Sequence, residues 1–460
     1  MAERAAPPAE QAAASARGPA ASAPRAPAVA PGAVERALAV LTGKVDERTA
    51  AFLNACVRCG LCAESCHVHL ADGDPASTPV AKIERLARLF RRHHTLLGRV
   101  APRLAGADDL TDDTLAALVT AAFGRCTVCG RCALTCSVGL DPSAVIRFAR
   151  TMLVAAGLVP KGIADNRDAA LETGNSMRLT LEDVVETVQW LEEDLRQTLG
   201  DPTVRLPLDE PGTRVLYALN PREIKFFPLS ISAAGAIFHA ARESWTLSST
   251  DFDITNYGFF ADDTASALAI GRRVIERAEA LGVEELVVAE CGHGYRSLRW
   301  EVPEWMGRAP RVRVTSFVEK LAEYLAAGRI VLDPARNPRP VTLHDPCNLV
   351  RQGGVIEEQR TVLRRAAAAF VEMTPNRTEN YCCGGGGGLL AASEFAADRV
   401  AAGRIKAEQI RATGAKVVAS PCHNCIDQLL ELNRHYKLGV EVRTLAEVVA
   451  DALVLPAAAT

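Results

Sequence analysis

Cysteine is the residue type that carries the most chemical information in this chain of 460 residues. The chain contains 14 cysteines, and most of them lie in groups with short and regular spacing. The N-terminal stretch from Met1 to about Gly32 is rich in alanine and proline and lacks the apolar core or twin arginine of an export signal, which indicates a reducing compartment. Grouped cysteines in such a compartment more often hold metal than form disulfides.

Two of the groups have the spacing of a two-cluster ferredoxin. Each reads Cys-x2-Cys-x2-Cys-x3-Cys, in which three cysteines bind one 4Fe-4S cluster and the fourth binds the other. The proline that usually follows the fourth cysteine is replaced by His67 and Ser137. The spacing predicts two cubane 4Fe-4S clusters, with paired structural zinc sites as the alternative. The predicted ligands are Cys56, Cys59, Cys62 and Cys136 for the first cluster, and Cys126, Cys129, Cys132 and Cys66 for the second.

A third set of five cysteines follows a different pattern. Cys347 is followed by the adjacent pair Cys382-Cys383 and then by Cys422-x2-Cys425. Adjacent side chains diverge along an extended backbone, so the pair fits a larger and more irregular iron–sulfur unit better than a cubane. Glycine occupies positions 384–388, where the main chain is free to wrap a cluster and offer N–H donors. A phosphate-binding loop is the competing interpretation, but no Lys-Ser/Thr pair follows the glycines.

The elements that must position these cysteines change along the chain. Helical patterns surround the first two groups, whereas beyond Gly212 short apolar strands alternate with helices. The sequence therefore predicts an α+β multidomain protein, with a helical twin 4Fe-4S ferredoxin domain followed by a pseudo-duplicated α/β domain. The predicted segments are a disordered Ala/Pro-rich tail (1–33), the ferredoxin domain (34–157), a helical linker (158–212), a first α/β module (213–335) and a second α/β module (336–455).

The two α/β modules repeat each other. Four short stretches match in the same order at nearly the same separation, which predicts duplication of one module. The matches are Val215–Pro221 with Val341–Cys347, Asn256–Gly258 with Asn380–Cys382, Val287–Ala289 with Val417–Ala419, and Val312–Val314 with Val440–Val442. They place Cys347 on Pro221, Cys382 on Gly258 and Cys422 on Cys291. The first module is therefore predicted to keep the architecture but to bind no metal by itself.

The third cysteine set also carries a family resemblance. Cys347, Cys382-Cys383-Gly384 and Cys422-x2-Cys425 resemble the cysteine-rich CCG domain of heterodisulfide reductase catalytic subunits. The whole arrangement is similar to the D-type subunit of that enzyme. The stretches 220–249, 255–260 and 287–298 resemble the DsrK, HmcF and TmcB members of this group, which belong to membrane electron-transfer complexes of sulfate reducers and sulfur oxidisers. The resemblance covers about residues 45–450.

The resemblance implies a cofactor, a reaction and partners. Cys347, Cys382, Cys383, Cys422 and Cys425 would bind a noncubane 4Fe-4S cluster that acts on a disulfide or trisulfide. The expected activity is that of a heterodisulfide reductase-like oxidoreductase acting on sulfur groups. Electrons would come from a quinol through an integral-membrane haem b subunit and the two cubanes, and the substrate would be a small DsrC-like sulfur carrier, with reverse flow in a sulfur oxidiser. The implied location is cytoplasmic, peripheral on the inner face of the cytoplasmic membrane through partner subunits.

Four residues beside the third set are candidates for catalysis. Cys291 lies on the loop that matches Cys422, so it is either an extra thiol facing the noncubane cluster or a buried relic. His293, His344 and His423 adjoin the loop cysteines, and they either deliver protons to the leaving thiolate or donate hydrogen bonds around the cluster. His67 is likewise either a structural residue or one that tunes a ferredoxin cluster.

Charge and composition argue against other classes of protein. A net charge of −3 gives no polyanion-binding surface, so no nucleic acid partner is expected. No flavin or nicotinamide fingerprint appears, so electrons are expected from a partner protein. Two alternatives remain, namely an iron–sulfur subunit of a glycerol-3-phosphate, glycolate or lactate dehydrogenase, and a non-enzymatic scaffold with zinc at the CCG site.

Two further segments have two interpretations each. The stretch 82–100 has apolar residues at helical spacing and a basic opposite face, so it is either a solvated amphipathic helix or a surface for an anionic membrane or acidic partner. The apolar fragment 221–241 is interrupted by Pro228, and its uncharged part is too short to span a bilayer. It is either module core or a contact surface for a membrane-embedded subunit.

Overall fold

The N-terminal domain is built from short helices. The computed structural model describes residues 29–455, so the predicted tail 1–33 lies almost entirely outside the described residues. The helices of this domain are α1 (Ala33–Gly43), α2 (Glu47–Ala55), α3 (His67–Asp72), α4 (Pro79–His94), α5 (Leu96–Val100), α6 (Pro102–Ala105), α7 (Asp112–Val119), α8 (Arg131–Leu134) and α9 (Pro142–Ala156). A π-helical turn, Thr120–Gly124, continues α7 towards the second cysteine group.

Helix α9 forms the centre of this domain. It begins at the N-cap Asp141, with Pro142 in the first turn, and ends where Gly157 adopts a left-handed backbone. Its residues Ile146 and Met152 are buried in the helical core. It packs against α2, which precedes the first cysteine loop, and against α8, which lies within the second cysteine group.

The amphipathic stretch 82–100 forms two helices rather than one. Ile83 and Phe90 of α4 are buried, as the helical spacing predicts. Thr95 interrupts the helix, because its side chain accepts a hydrogen bond from Gly98 N and caps α5. Leu96 on α5 is 79% exposed, so the apolar periodicity does not continue into the core.

Two helices follow the ferredoxin domain, α10 (Lys161–Thr173) and α11 (Leu181–Leu199). The apolar side of α11 is not a free linker surface. Val188 and Leu195 are buried in the core of the first α/β module, where Leu195 packs close to Gly235. The segment predicted as a helical linker thus contributes to module packing.

The first module is a four-stranded parallel sheet with helices on its faces. Its strands are β1 (Val215–Ala218), β2 (Trp245–Thr246), β3 (Glu285–Val288) and β4 (Arg313–Ser316), in the order β2-β1-β3-β4. Its helices are α12 (Pro221–Lys225), α13 (Pro228–Ala240), α14 (Tyr257–Ala261), α15 (Thr264–Leu281), α16 (Gly292–Arg296), α17 (Val302–Met306) and α18 (Phe317–Ala326). The apolar fragment 221–241 is mainly core, because Ile231 and Phe238 of α13 are fully buried.

The second module has the same architecture. Its strands are β5 (Val341–Leu343), β6 (Phe370–Val371), β7 (Val417–Ala419) and β8 (Glu441–Arg443), in the order β6-β5-β7-β8. Its helices are α19 (Cys347–Val350), α20 (Glu358–Ala366), α21 (Ala396–Ala402), α22 (Arg404–Thr413), α23 (His423–Tyr436) and α24 (Leu445–Ala452). The equal strand order confirms the predicted α+β fold with a duplicated α/β module.

One detail of the predicted repeat is wrong. In the first sheet Val215 pairs with Glu285, whereas in the second sheet the matching Val341 pairs with Val417. Glu285 is therefore the structural counterpart of Val417, and the sequence match that aligned Val287 with Val417 is displaced by two residues. Short apolar strands resemble each other in several alignments, so pairing rather than similarity sets their register.

The strand order sets the place where a ligand can bind. In the second module the chain runs from β5 outward to β6 and then returns to β7 on the other side of β5. Open parallel sheets bind ligands at the carboxyl ends of the strands beside such a reversal. The loops after β5 and β7, which carry Cys347 and Cys422, lie at this point.

The length and apolar composition of a helix determine whether it can span a bilayer. Among residues 29–455, no single helix is long and apolar enough to cross a bilayer. Helices α9 and α10 pass the length and composition test only as a pair, with a bend of 75° between them.

Candidate functional site

The first cysteine group forms a cavity at the protein surface. The left-handed backbone of Arg58 (φ 56°) is uncommon for a residue with a side chain, and it turns the loop between two of the cysteines. The thiol-bearing residues around the cavity are Cys56, Cys59, Cys62 and Cys136. Cys59 is exposed, so this cavity lies at one edge of the ferredoxin domain.

The second cysteine group forms a similar cavity deeper in the molecule. Val128 repeats the left-handed backbone of Arg58, with φ 52°, at the equivalent loop position. The thiol-bearing residues around this cavity are Cys66, Cys126, Cys129 and Cys132. Burial raises the pKa of the Cys126 and Cys132 thiols. Each cavity thus contains three thiols from one group and one from the other, which is the crossed arrangement of a two-cluster ferredoxin.

The third cysteine set lies at the carboxyl ends of β5 and β7. Cys347 begins α19 after β5, and Cys422 is the N-cap of α23 after β7. All the thiols of this set are buried, and they form a continuous row in which each thiol interacts with the next. The order along the row is Cys347, Cys382, Cys383, Cys425, Cys422 and then Cys291 from the first module. The structure therefore adds a sixth thiol to the five of the sequence pattern.

The protonation of this row favours a bound cation. Interaction with Cys347 holds the pKa of Cys382 well below the usual thiol value, and Cys291 does the same for Cys422. The same contacts raise the pKa of the other thiols in the row. Metal ions bind thiolates and stabilise their negative charge in a buried place. The donor set therefore fits an iron–sulfur unit.

The glycine run after Cys383 brings the ferredoxin domain against the second module. A Cβ on Gly387 would lie 2.9 Å from Thr127 O, at a backbone φ of +64°. Gly384 N donates a hydrogen bond to Cys382 Sγ at 3.4 Å. The run thus makes room for the neighbouring domain and also contacts the cysteine row.

His67 lies between the second cavity and the third cysteine set. Its ring is buried beside the Cys129 thiol, and the Cys382 thiol is near enough to favour the protonated form of the His67 ring. Burial alone would lower the pKa of His67, but these thiols raise it above its usual value. Arg351 Nη1 donates to Cys129 O at 2.7 Å and fastens the loop after β5 to the ferredoxin domain. The position where ferredoxins usually have proline therefore carries a buried imidazole next to both sites.

Two of the three predicted histidines are held by hydrogen bonds. His293 Nε2 lies 3.2 Å from Asn256 O, and burial lowers the pKa of His293 to about 3, which keeps the ring neutral. His423 has a partner at each ring nitrogen, with Nδ1 3.0 Å from Glu290 O and Nε2 3.2 Å from Ser230 Oγ. The contacts of His423 connect the loops of the two modules, whereas the contact of His293 lies within the first module.

His344 has different surroundings. One of its ring nitrogens and the Sγ atoms of Cys383 and Cys425 all lie within 4.8 Å of one another. Among residues 29–455, neither ring nitrogen has a hydrogen-bond partner, although the residue is only 1% exposed. Burial lowers the pKa of His344 to about 3, so the ring is neutral.

Two family models match the chain. Residues 52–140 match the 4Fe-4S dicluster domain, and residues 341–429 match the CCG cysteine-rich domain. These matches agree with the two cavities of the ferredoxin domain and with the cysteine row of the second module. The chain carries both domains.

Similar proteins match this chain over most of its length and most of theirs. An Hdr-like menaquinol oxidoreductase iron-sulfur subunit 2 of Archaeoglobus fulgidus is 29% identical over 450 residues, which covers 88% of this chain and 80% of the relative. The D-type subunit of the dihydromethanophenazine:CoB–CoM heterodisulfide reductase of Methanosarcina barkeri is 28% identical over 415 residues, which covers 87% of this chain and 94% of the relative. The predicted resemblance to D-type heterodisulfide reductase subunits is therefore confirmed.

A buried lysine near the CCG cysteines was missed by sequence reasoning. Lys406 of α22 is fully buried, and its Nζ lies 3.6 Å from Met373 Sδ. Burial lowers the pKa of Lys406 to about 8, while Asp345 and the nearby Cys383 thiol oppose this shift. The sequence offers only a weak signal, since the lysine stands four residues before the buried Ile410 on one helical face.

Proposed function

We propose that this protein is the iron–sulfur catalytic subunit of a DsrK-like, membrane-associated redox complex. Electrons from a quinol and a haem b partner pass through two cubane 4Fe-4S clusters to a noncubane 4Fe-4S cluster at the CCG cysteines. There they reduce the disulfide or trisulfide of a DsrC-like carrier, and in the reverse direction the same site oxidises it. The names of the relatives, which include a menaquinol oxidoreductase and a heterodisulfide reductase, support this assignment.

The observation that carries the proposal is the succession of thiol sites from the surface to the interior. The first cavity reaches the surface at Cys59, the second is deeper, and the buried row of CCG thiols adjoins the second through His67. A chain of one-electron centres that ends at a buried sulfur site suits a reductase whose substrate requires more than one electron. The proposed ligands of the noncubane cluster are Cys347, Cys382, Cys383, Cys422 and Cys425.

The reaction requires both electrons and protons. Reduction of a disulfide consumes two electrons and two protons and releases two thiols, whereas a cubane passes one electron at a time. When bound, the iron–sulfur unit at the CCG cysteines would hold the first electron until the second arrives.

The surrounding residues hold protons and orient the loops. The contact with Cys422 raises the pKa of the Cys291 thiol. We assign Cys291 as a proton donor at the end of the row because of this position. Gly294 N donates a hydrogen bond to Cys291 Sγ at 3.3 Å and fixes its position. His293 and His423 are assigned to positioning rather than to proton delivery, because Nε2 of His293 and both ring nitrogens of His423 are engaged with protein oxygens.

We assign the contact with the electron donor to the surface around the first cavity. Val57 and Val138 beside this cavity are 63% and 47% exposed, which is unusual for valine and gives a partner an apolar surface near the entry cluster. Docking there shortens the path from a haem or quinone subunit to the first cubane. The proposed location, cytoplasmic and peripheral on the inner membrane face, follows from attachment to such a subunit.

The decisive experiment counts iron in matched variants. The full chain and its Cys383→Ala and Cys291→Ala variants are purified anaerobically and compared by iron and sulfide content and by EPR. We expect about twelve iron atoms per chain in the unmodified protein and in Cys291→Ala, but about eight in Cys383→Ala, with both cubane signals kept. A second assay follows reduction of a DsrC-like carrier disulfide by mass spectrometry, with a reduced viologen as the electron donor. We expect Cys383→Ala to abolish this activity.

Two results would contradict the proposal. About eight iron atoms in all three proteins, even after reconstitution with iron and sulfide, would leave a twin-cluster relay without a third site. Stoichiometric zinc instead of iron at the CCG cysteines would indicate the scaffold alternative.

A further inference from the structure

We propose that His344 is a nitrogen ligand of the metal bound at the CCG cysteines, so that this site has mixed sulfur and nitrogen ligation. The inference deepens the proposed function, because it rests on a metal being bound at that same site. It adds one residue to the five cysteines of the ligand set.

The first argument is the position of the ring. His344 follows β5, and its backbone is held beside β7 because His344 N donates to Ala419 O at 2.9 Å. From there a ring nitrogen reaches the space between Cys383, on the loop after β6, and Cys425, on α23, with all three donor atoms within 4.8 Å of one another. A metal ion bound by imidazole nitrogen and thiolate sulfur requires donor atoms at about this mutual separation.

The second argument is the unsatisfied state of the ring. An imidazole buried without a partner costs ~1–3 kcal/mol, and proteins avoid leaving such groups in their cores. In the part of the chain that the structure describes, both nitrogens of His344 lack a hydrogen-bond partner. A metal bound to the neighbouring thiolates is a partner that removes this cost.

The third argument is the comparison with the other module. The repeat places His344 on Ala218, at the end of β1 in the module that lacks the other metal-binding cysteines. The imidazole is thus present in the module with the thiol row and absent at the matching position of the other module. A histidine needed only for packing has no reason to follow this distribution.

His423 is a suitable internal control. It is as deeply buried as His344 and is adjacent to Cys422. Unlike His344, it has a hydrogen-bond partner at each ring nitrogen, Glu290 O at Nδ1 and Ser230 Oγ at Nε2. A residue with both nitrogens engaged has no free lone pair for metal. A comparison of variants at the two histidines therefore distinguishes metal ligation from proximity to the cysteines.

The test is magnetic resonance on protein labelled with 15N-histidine. Pulsed EPR on the third-cluster signal is expected to show a strongly coupled histidine nitrogen in the unmodified protein and in His423→Gln. The coupling should be lost in His344→Gln and in His344→Leu. Because an imidazole ligand raises the reduction potential relative to thiolate ligation alone, the potential of the third cluster should also fall in the His344 variants.

A cobalt titration covers the case in which the third cluster does not assemble. Cluster-free protein is titrated with Co²⁺ under anaerobic conditions, and the visible bands report sulfur and nitrogen ligation. We expect the affinity of one site to fall about tenfold or more in both His344 variants, and to change little in His423→Gln.

The outcomes distinguish the two proposals. A third-cluster signal without nitrogen coupling, or with coupling that persists in both His344 variants, overturns the role of His344 and leaves the proposed function intact. If no third-cluster signal appears, the proposed function fails, and the cobalt titration still decides whether His344 binds metal. Identical cobalt affinity and spectra in unmodified protein and His344→Leu overturn it.

Discussion

The two α/β modules have one sheet topology but different chemistry at the equivalent loops. In the first module, Asn256 closes its loop by donating to Ala267 O and Ser297 Oγ, both at 2.9 Å. In the second module, the matching loops carry thiols that face one another in a buried row. The first module therefore satisfies its loops with its own hydrogen bonds, whereas we propose that the second depends on a bound metal. On this proposal, a parallel sheet keeps its architecture while the loops at its carboxyl edge are stabilised by hydrogen bonds in one module and by metal binding in the other.

Iron removal is expected to give the largest difference between the modules. Chelation under reducing conditions should increase amide hydrogen exchange in the loops 382–388 and 422–425 by about a thousandfold, because their thiols lose the cation that neutralises them. The corresponding loops 256–260 and 291–296 of the first module should change little. Hydrogen exchange followed by mass spectrometry measures both, and equal increases in the two modules would refute the comparison.

Two buried lysines, one in each α/β module, provide a second contrast. Lys320 of the first module is paired with Glu285, so Lys320→Met should lower the free energy of unfolding by about 3 kcal/mol. Lys406 of the second module has a pKa of about 8 when folded, against about 10.5 ordinarily. The folded state then binds fewer protons than the unfolded state between these values, so stability rises with pH from about 8 to about 10.5 and is reduced below pH 8.

The lysine prediction is tested on cluster-free protein. Lys406→Met should raise the free energy of unfolding by ~2 kcal/mol at pH 7 and remove the rise with pH, because it deletes the buried charge. Urea titrations at several pH values measure both effects. A Lys406→Met variant that is less stable at pH 7 would show that the charge is compensated in the folded protein without a cluster.

The glycine run distinguishes the second module from the first by its contact with the ferredoxin domain. Gly387→Ala should lower the free energy of unfolding by ~2 kcal/mol more than Gly439→Ala. Both glycines have φ near +65°, but a Cβ would meet Thr127 O only at Gly387, since no atom of residues 29–455 lies within 4 Å of a Cβ at Gly439. Similar losses in both variants would mean that backbone strain alone, rather than the close domain contact, explains the glycine.

The smallest effect is expected at Cys291, the one thiol that the first module contributes. Cys291→Ser should keep the full iron content but slow disulfide reduction by about tenfold, because a hydroxyl is a poorer proton donor to sulfur than the thiol it replaces. Steady-state kinetics with the carrier disulfide measures this change. An unchanged rate would identify Cys291 as a buried relic, and a loss of iron would make it a ligand.

Much of the fold was predictable because the relevant signals are local. Strand and helix alternation beyond Gly212 predicts the α/β modules, and three-residue cysteine spacing predicts the ferredoxin loops. The register of β3 against β1 was not predictable, because several short apolar segments fit the repeat equally well. The end of α4 at His94 was also missed, since one Thr95 side-chain hydrogen bond outweighed a continuing apolar pattern.

The sequence by itself determined the cysteine groups, the twin-cluster motif, the CCG motif and the duplicated module, because each depends on residue type and spacing along the chain. Only the tertiary structure decided which side chains meet across long separations. The approach of His67 to Cys129, the contact of Cys291 with Cys422 and the burial of Lys406 belong to this second class. So does the ring of His344, which has no hydrogen-bond partner among the described residues. Their neighbours come from segments that only packing brings together, so no local pattern records which groups end with a partner and which with none.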